Sequence, residues 1–188
     1  MLFSVVFFIL ILQRLTELMI AKNNERFLKK EGAIEYGKEH YWIMVVMHIG
    51  FFVSLWVEGF IKNGALSPYW KVIVPILIIT QVIRYWSIFS LGVFWNTKII
   101  VLKSANVQKK GPYRFLRHPN YVVVTLEILL IPLLFQAYVT AILSSVLNYW
   151  MLTVRIRTEE GVLIDHTNYN DVFKQKRRFI PLKVQKKY

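Results

Sequence analysis

The stretch Gly111-Pro112-Tyr113-Arg114-Phe115-Leu116-Arg117-His118-Pro119-Asn120-Tyr121 brings together a turn, two guanidinium groups, an imidazole and two phenols. The Gly-Pro pair ends one element. Pro119 suits the first turn of the next helix, where the N–H it lacks would be unpaired anyway. His118 then stands at a helix N-terminus, whose free backbone N–H groups attract an anion. A second stretch, Arg155-Ile156-Arg157-Thr158-Glu159-Glu160-Gly161-Val162-Leu163, sets Arg155 and Glu159 four residues apart, on one helical face. Arg155 is permanently charged and planar, and its fork can hold an oxyanion through two bonds. A plainer reading stands beside each. Residues 111–121 can be a basic anchor for lipid headgroups, and 155–159 a snorkelling arginine with a surface ion pair.

The elements that must position these residues are membrane helices. The chain has 188 residues, of which 55% are hydrophobic and 19% charged, and its mean hydropathy is +0.41. That is too little polar surface for a water-soluble enzyme, and the length suits one domain over 1–188. Five apolar segments, at about 1–21, 41–61, 71–93, 119–137 and 138–155, approach the ~20 residues needed to cross ~30 Å of hydrocarbon. The first has neither a basic leader nor a small-residue cleavage site, and Arg14 and Glu17 interrupt it, so it is a retained helix. The last two meet near 135–138 with almost no polar linker and form a tight hairpin. The expected fold is therefore an all-α integral membrane protein of about five transmembrane helices. Three of them fill 1–93, and 94–188 forms a core carrying both motifs. Its last part, 157–178, reads as one or two cytoplasmic helices with Val162, Leu163, Tyr169, Val172 and Phe173 as the apolar side.

The net charge of +13 has the size of a nucleic-acid signal, but its residues lie between the spans and face anionic lipid headgroups instead. Twenty of the basic residues fall in 22–40, 94–118 and from Arg155 onward, whereas the alternate connections hold only Lys62 and Lys71. The positive-inside rule then puts the N-terminus outside and the C-terminus, with both motifs, in the cytoplasm. Cysteine is absent, which excludes disulfides, thiolate metal sites and cysteine nucleophiles. No cluster of metal ligands is visible either, so no metal is expected.

The order Gly-x-Tyr-x-x-x-Arg-His-Pro-x-Tyr, hydrophobic hairpin, Arg-x-x-x-Glu-Glu-x-x-Leu resembles the isoprenylcysteine carboxyl methyltransferase family, integral-membrane enzymes that use S-adenosylmethionine. The resemblance covers about 95–181. It implies that Tyr113, His118, Pro119, Asn120 and Tyr121 help enclose S-adenosylmethionine, that Glu159 takes its ammonium group, and that Arg155 faces the acidic group of the methyl acceptor. Residues 105–108, including Gln108, and Ile100 would complete the enclosure, although family members often carry a His where Ala105 stands. The run Arg14-Leu15-x-Glu17-Leu18-x-x-Ala21-x-x-Asn24, followed by Gly32-x-x-Glu35-x-Gly37-x-x-His40-Tyr41, looks like a bacterial branch that includes alkylpyrone O-methyltransferases.

Inside the spans, Arg14 and Glu17 lie one turn apart and face the protein interior, as a structural ion pair or as substrate contacts. His40, where the second span begins, is a cap, a headgroup-facing residue or a substrate contact. Arg84 and Glu127 are further charges of that ambiguous kind, and His48 has no assigned role. The resemblance implies an O-methyltransferase acting on a lipophilic acid or acidic enol, such as an alkylpyrone or prenyl-type carboxylate. Two enzyme alternatives are a phospholipid N-methyltransferase, which a cationic Arg155 beside an amine disfavours, and a related NADPH-dependent reductase, for which no phosphate-binding motif is present. A small membrane scaffold would leave the motif pair unexplained.

Overall fold

Long apolar runs become helices because, in hydrocarbon, a helix satisfies every backbone N–H and C=O within one segment. In the computed structural model, which describes residues 1–173, 178 and 179, these runs form α1 (Leu2–Lys30), α2 (Lys38–Ile61), α3 (Trp70–Leu91), α4 (Pro119–Leu134) and α5 (Tyr138–His166). A short α6 (Tyr169–Phe173) follows. Four of them, α1, α2, α3 with its following turn, and α5, are long and apolar enough to cross a membrane. The fourth expected span is shorter: α4 has 16 residues, about 24 Å of helix against ~30 Å of hydrocarbon. It turns into α5 through Phe135, Gln136 and Ala137, so the tight hairpin is present.

The fold is nearly all-α as expected, and two details differ. The last span does not end near Arg155 with a new helix after it. Instead, α5 runs unbroken for 29 residues to His166, because nothing after Arg155 stops it except Gly161, which costs a helix only ~1 kcal/mol. The apolar side of the C-terminal segment packs on the bundle: Tyr169 and Phe173 of α6 bury against Tyr113, with Leu163 and Val172 beside them. Residues 174–177 of that segment lie outside the described residues. The second difference is a small ribbon added to a nearly all-α fold. β1 (Ile34–Tyr36) pairs antiparallel with β2 (Ile99–Val101), Glu35 opposite Ile100. Each strand is only three residues long, Ile-Glu-Tyr and Ile-Ile-Val, too short to register in sequence. Lys98 clamps the ribbon to α1, with Nζ 2.9 Å from Glu25 and 3.3 Å from Glu35.

The bundle is apolar outside and charged within. Phe8, Val46, Ile49, Val53, Ile78, Val82, Phe89 and Val146 are exposed, whereas Glu17, Arg84, Glu127, Arg155 and Glu160 are buried. This inversion belongs to a protein whose solvent is lipid. At the end away from the motifs, Phe3, Phe7, Phe51, Leu55, Ile128, Leu134 and Phe135 pack into the main apolar core.

Candidate active site

The first motif reaches α4 through a turn that only glycine fits. Gly111 has a φ of +52°, and a side chain there would collide with Ser90 and Trp86 of α3. A 3-10 turn over Gly111–Arg114 follows, His118 caps α4, and Pro119 occupies its first position. That start aims Asn120 and Tyr121 at the neighbouring elements. Asn120 Nδ2 donates to the Tyr113 hydroxyl at 2.9 Å. Burial first, and then the Glu159 carboxylate, hold the Tyr113 phenol well above its ordinary pKa, so it stays protonated.

The second motif is carried on one face of α5. Arg155 is buried, with Nε donating to the Tyr121 hydroxyl at 2.9 Å and Nη2 to the Thr97 carbonyl at 2.6 Å. Its Nη1 lies 3.2 Å from the Met44 sulfur. The Tyr121 hydroxyl in turn donates to Glu159 Oε2. The surface ion pair expected as the plain alternative is therefore not what forms: a phenol stands between the two charges.

The adjacent glutamates have different surroundings. Glu160 faces the His118 imidazole, Oε1 to Nε2 at 2.9 Å. It also accepts from Arg178 Nε at 3.1 Å and from the Tyr169 hydroxyl at 3.4 Å. With those partners it anchors structure, holding the His118 ring nearly parallel to that of Tyr121 at 5.1 Å. Glu159 has Tyr121 on Oε2 and no hydrogen-bond partner for Oε1 among the described residues. It lines the cavity, and Glu160 does not.

That cavity, about 1300 Å³, joins the two motifs. It exceeds the ~300–1,000 Å³ usual for a single small ligand. Tyr113, His118, Asn120, Tyr121, Arg155 and Glu159 line its polar end, together with Ile100 of β2 and Gln108 of the following loop. Pro119 is buried but not in the lining, as befits a residue that starts the helix. His40 is also outside the lining, although the neighbouring Tyr41 is in it. The remainder of the cavity is mostly apolar, with Arg14, Glu17, Arg84 and His48 as titratable groups in its wall. Leu15 and Leu18 of α1 and Val46 and Ile49 of α2 line it and are exposed, so it is open along these two helices.

Residues 72–165, half of the chain, match the isoprenylcysteine carboxyl methyltransferase (ICMT) family. The chain belongs to the ICMT family. The uncharacterized protein YpbQ of Bacillus subtilis is 49% identical over 159 residues, 85% of this chain and 95% of its own length. An uncharacterized protein of Haemophilus influenzae is 28% identical over 151 residues, 80% of this chain and 88% of its own. Membership makes the protein a membrane methyltransferase, and ICMT proteins generally draw the methyl group from S-adenosylmethionine.

The matched ICMT region also holds half of a buried charge network. Arg14 reaches Glu17 at 3.1 Å and Glu127 at 2.6 Å. Arg84 binds Glu17 through Nε and Nη2 and Glu127 through Nη1 at 2.6 Å. Gln81 adds a bond to Glu127 at 2.7 Å. Two positive and two negative groups thus tie α1, α3 and α4 together, with Arg14, Glu17 and Arg84 showing at the cavity wall. Sequence reasoning paired Arg14 with Glu17 but could not join Arg84 and Glu127 to them, because those contacts span 43 to 113 residues. It also passed over Met44, the Thr97 carbonyl and Glu160. Glu160 alone carried a signal, its place beside Glu159 in the motif.

Proposed function

We propose that this ICMT-family protein transfers a methyl group from S-adenosylmethionine to an oxygen of a lipophilic acid or acidic enol, of the alkylpyrone or prenyl-carboxylate kind. The observation that carries the reading is one cavity with an arginine and a half-free carboxylate at its polar end and a mostly apolar remainder. The residues present fit the cofactor. Glu159 offers an oxygen to an ammonium group, Tyr121 and His118 offer ring faces, and the protonated Tyr113 hydroxyl, Asn120, Gln108 and Ile100 complete the enclosure. Pro119 sets the start of α4 that aims them. The cofactor, when bound, supplies an electrophilic methyl group on sulfur.

The chain's own residues do the rest by placement. Arg155 faces the acceptor's oxyanion, and the low-dielectric wall strengthens their attraction and excludes water. An acidic oxygen suits this arrangement, since a buried guanidinium stabilises an anion and repels an ammonium. Under this reading residues 1–93, with α4 and α5, wall the acceptor chamber, and the motifs of 94–188 form the cofactor end of one membrane domain. The N-terminus lies outside, and the polar end of the cavity faces the cytoplasm, where the cofactor is. The acceptor enters from the bilayer between α1 and α2.

Purified protein in detergent should bind S-adenosylmethionine saturably by calorimetry and pass a labelled methyl group to a long-chain acid or phenol. Folded protein that binds no cofactor would remove the reading.

A further inference from the structure

A second titratable group lies on the cavity wall and has no part in the scheme above. His48 of α2 lines the cavity. Its Nδ1 is 2.8 Å from the carbonyl oxygen of Met44, one turn earlier. A carbonyl only accepts, so Nδ1 carries the proton and the neutral ring presents Nε2 as a bare acceptor. Among the described residues Nε2 has no hydrogen-bond partner. The same Met44 meets Arg155 through its sulfur. His48 is therefore one helical turn, about 6 Å along α2, beyond the point where Arg155 touches that helix, toward the apolar part of the cavity. The charged groups close enough to act on the ring are Arg14 of α1, Glu127 of α4 and Arg155 of α5.

An acid entering from hydrocarbon carries its proton, because a lone oxyanion is far too costly there. The anion that Arg155 would hold must be made inside the cavity. Building on the methyl-transfer reading, we propose that Nε2 of His48 is the proton acceptor that ionises the incoming acceptor on its way to Arg155. The acceptor's O–H bond breaks, the electron pair stays on oxygen, and the proton forms the Nε2–H bond of an imidazolium. The oxyanion then lies between two cations. After the neutral methylated product leaves, the imidazolium returns its proton to water.

The probe is a long-chain alkyl nitrophenol, whose phenolate is visible by absorbance. In cofactor-free protein, bound probe should ionise at a pH at least about one unit lower in the wild type than in His48→Gln, with affinities within a few-fold of each other. With cofactor supplied, His48→Gln should lose ~10²-fold or more in turnover of the unsubstituted alkylphenol, the scale of general-base catalysis. It should lose far less with the nitrophenol, which ionises unaided. His48→Asn takes the same measurements if the Gln variant has lost cofactor affinity and so its fold. Identical titration curves for the bound probe, or equal losses with both phenols, would show a ring that only packs and would overturn the proposal. A wild type that binds cofactor but methylates neither phenol nor a long-chain carboxylic acid overturns the acidic-acceptor reading and this proposal with it. One that methylates both while the variants match it overturns this proposal alone.

Discussion

Arg155 and Glu159, one turn apart on α5, are joined by a third group: the Tyr121 hydroxyl accepts from Arg155 Nε at 2.9 Å and donates to Glu159. A phenol placed this way uses both its donor and its acceptor capacity. It keeps the two charges from neutralising each other directly, so each can serve a different ligand.

Separate ligands give separable variants. Glu159→Gln should weaken S-adenosylmethionine binding by roughly 1–3 kcal/mol, the range for losing a charged hydrogen-bond partner. Arg155→Ala should leave that affinity within a few-fold while turnover falls by ~10²-fold or more. Arg155→Lys should recover only part, because an ammonium lacks the fork. Calorimetry and methyl transfer on the same preparations check this. Loss of cofactor binding in folded Arg155→Ala would assign the arginine to the other ligand.

Tyr121→Phe removes the bridge but keeps the ring against His118. Arg155 and Glu159 then lose a shared partner, so both cofactor affinity and turnover should fall, each by about 10-fold, the scale of one charge-assisted hydrogen bond. Unchanged values for both would mean that the bridge has no bearing on the site.

The buried network should respond unequally to loss of its two arginines. Arg84 binds both Glu17 and Glu127, so Arg84→Leu leaves Arg14 to balance two carboxylates. Removing one partner of a buried pair costs about 3–5 kcal/mol. Arg14→Leu leaves Arg84 on both carboxylates and should cost less. Thermal unfolding in detergent gives the order, and a larger loss for Arg14→Leu would contradict the assigned geometry.

The N-terminus of α5 is capped from another helix. Glu58 of α2 accepts from the backbone N–H groups of Val139 at 3.1 Å and Thr140 at 2.8 Å, and from the Thr140 hydroxyl at 2.7 Å. Ala137, the residue at the cap position, has no side chain able to do this. Glu58→Ala should therefore lower stability by about 1–2 kcal/mol, as lost caps and helix-end charges do, and leave cofactor affinity unchanged. Unfolding curves paired with calorimetry test both halves.

The proposed topology follows from twenty basic residues set against two. Reporter fusions after Lys38, Gly64 and Tyr188 should report inside, outside and inside. An outside signal after Tyr188 would place the polar end of the cavity away from cytosolic cofactor.

Hydropathy and motif order were enough for the membrane class, the helix order, the hairpin before α5, the Gly111 turn and the family. Each of these rests on a local property, such as the length of an apolar run, a residue at a helix start or the spacing of Arg155 and Glu159. The tertiary structure decided which groups meet. Arg84 and Glu127 were ambiguous charges until α3 and α4 packed them against Arg14 and Glu17. Glu159 was singled out by its spacing from Arg155, but the partners of the two neighbouring glutamates came only with packing, which put Tyr121 on Glu159 and His118 on Glu160. The ribbon of three-residue strands, and the backbone carbonyl of Thr97 that holds Arg155, have no signature in sequence. A backbone oxygen is offered by every residue, and only packing selects the one that is used. Apolar periodicity is written along one helix at a time, whereas a buried polar contact needs a partner that only the assembled bundle can supply.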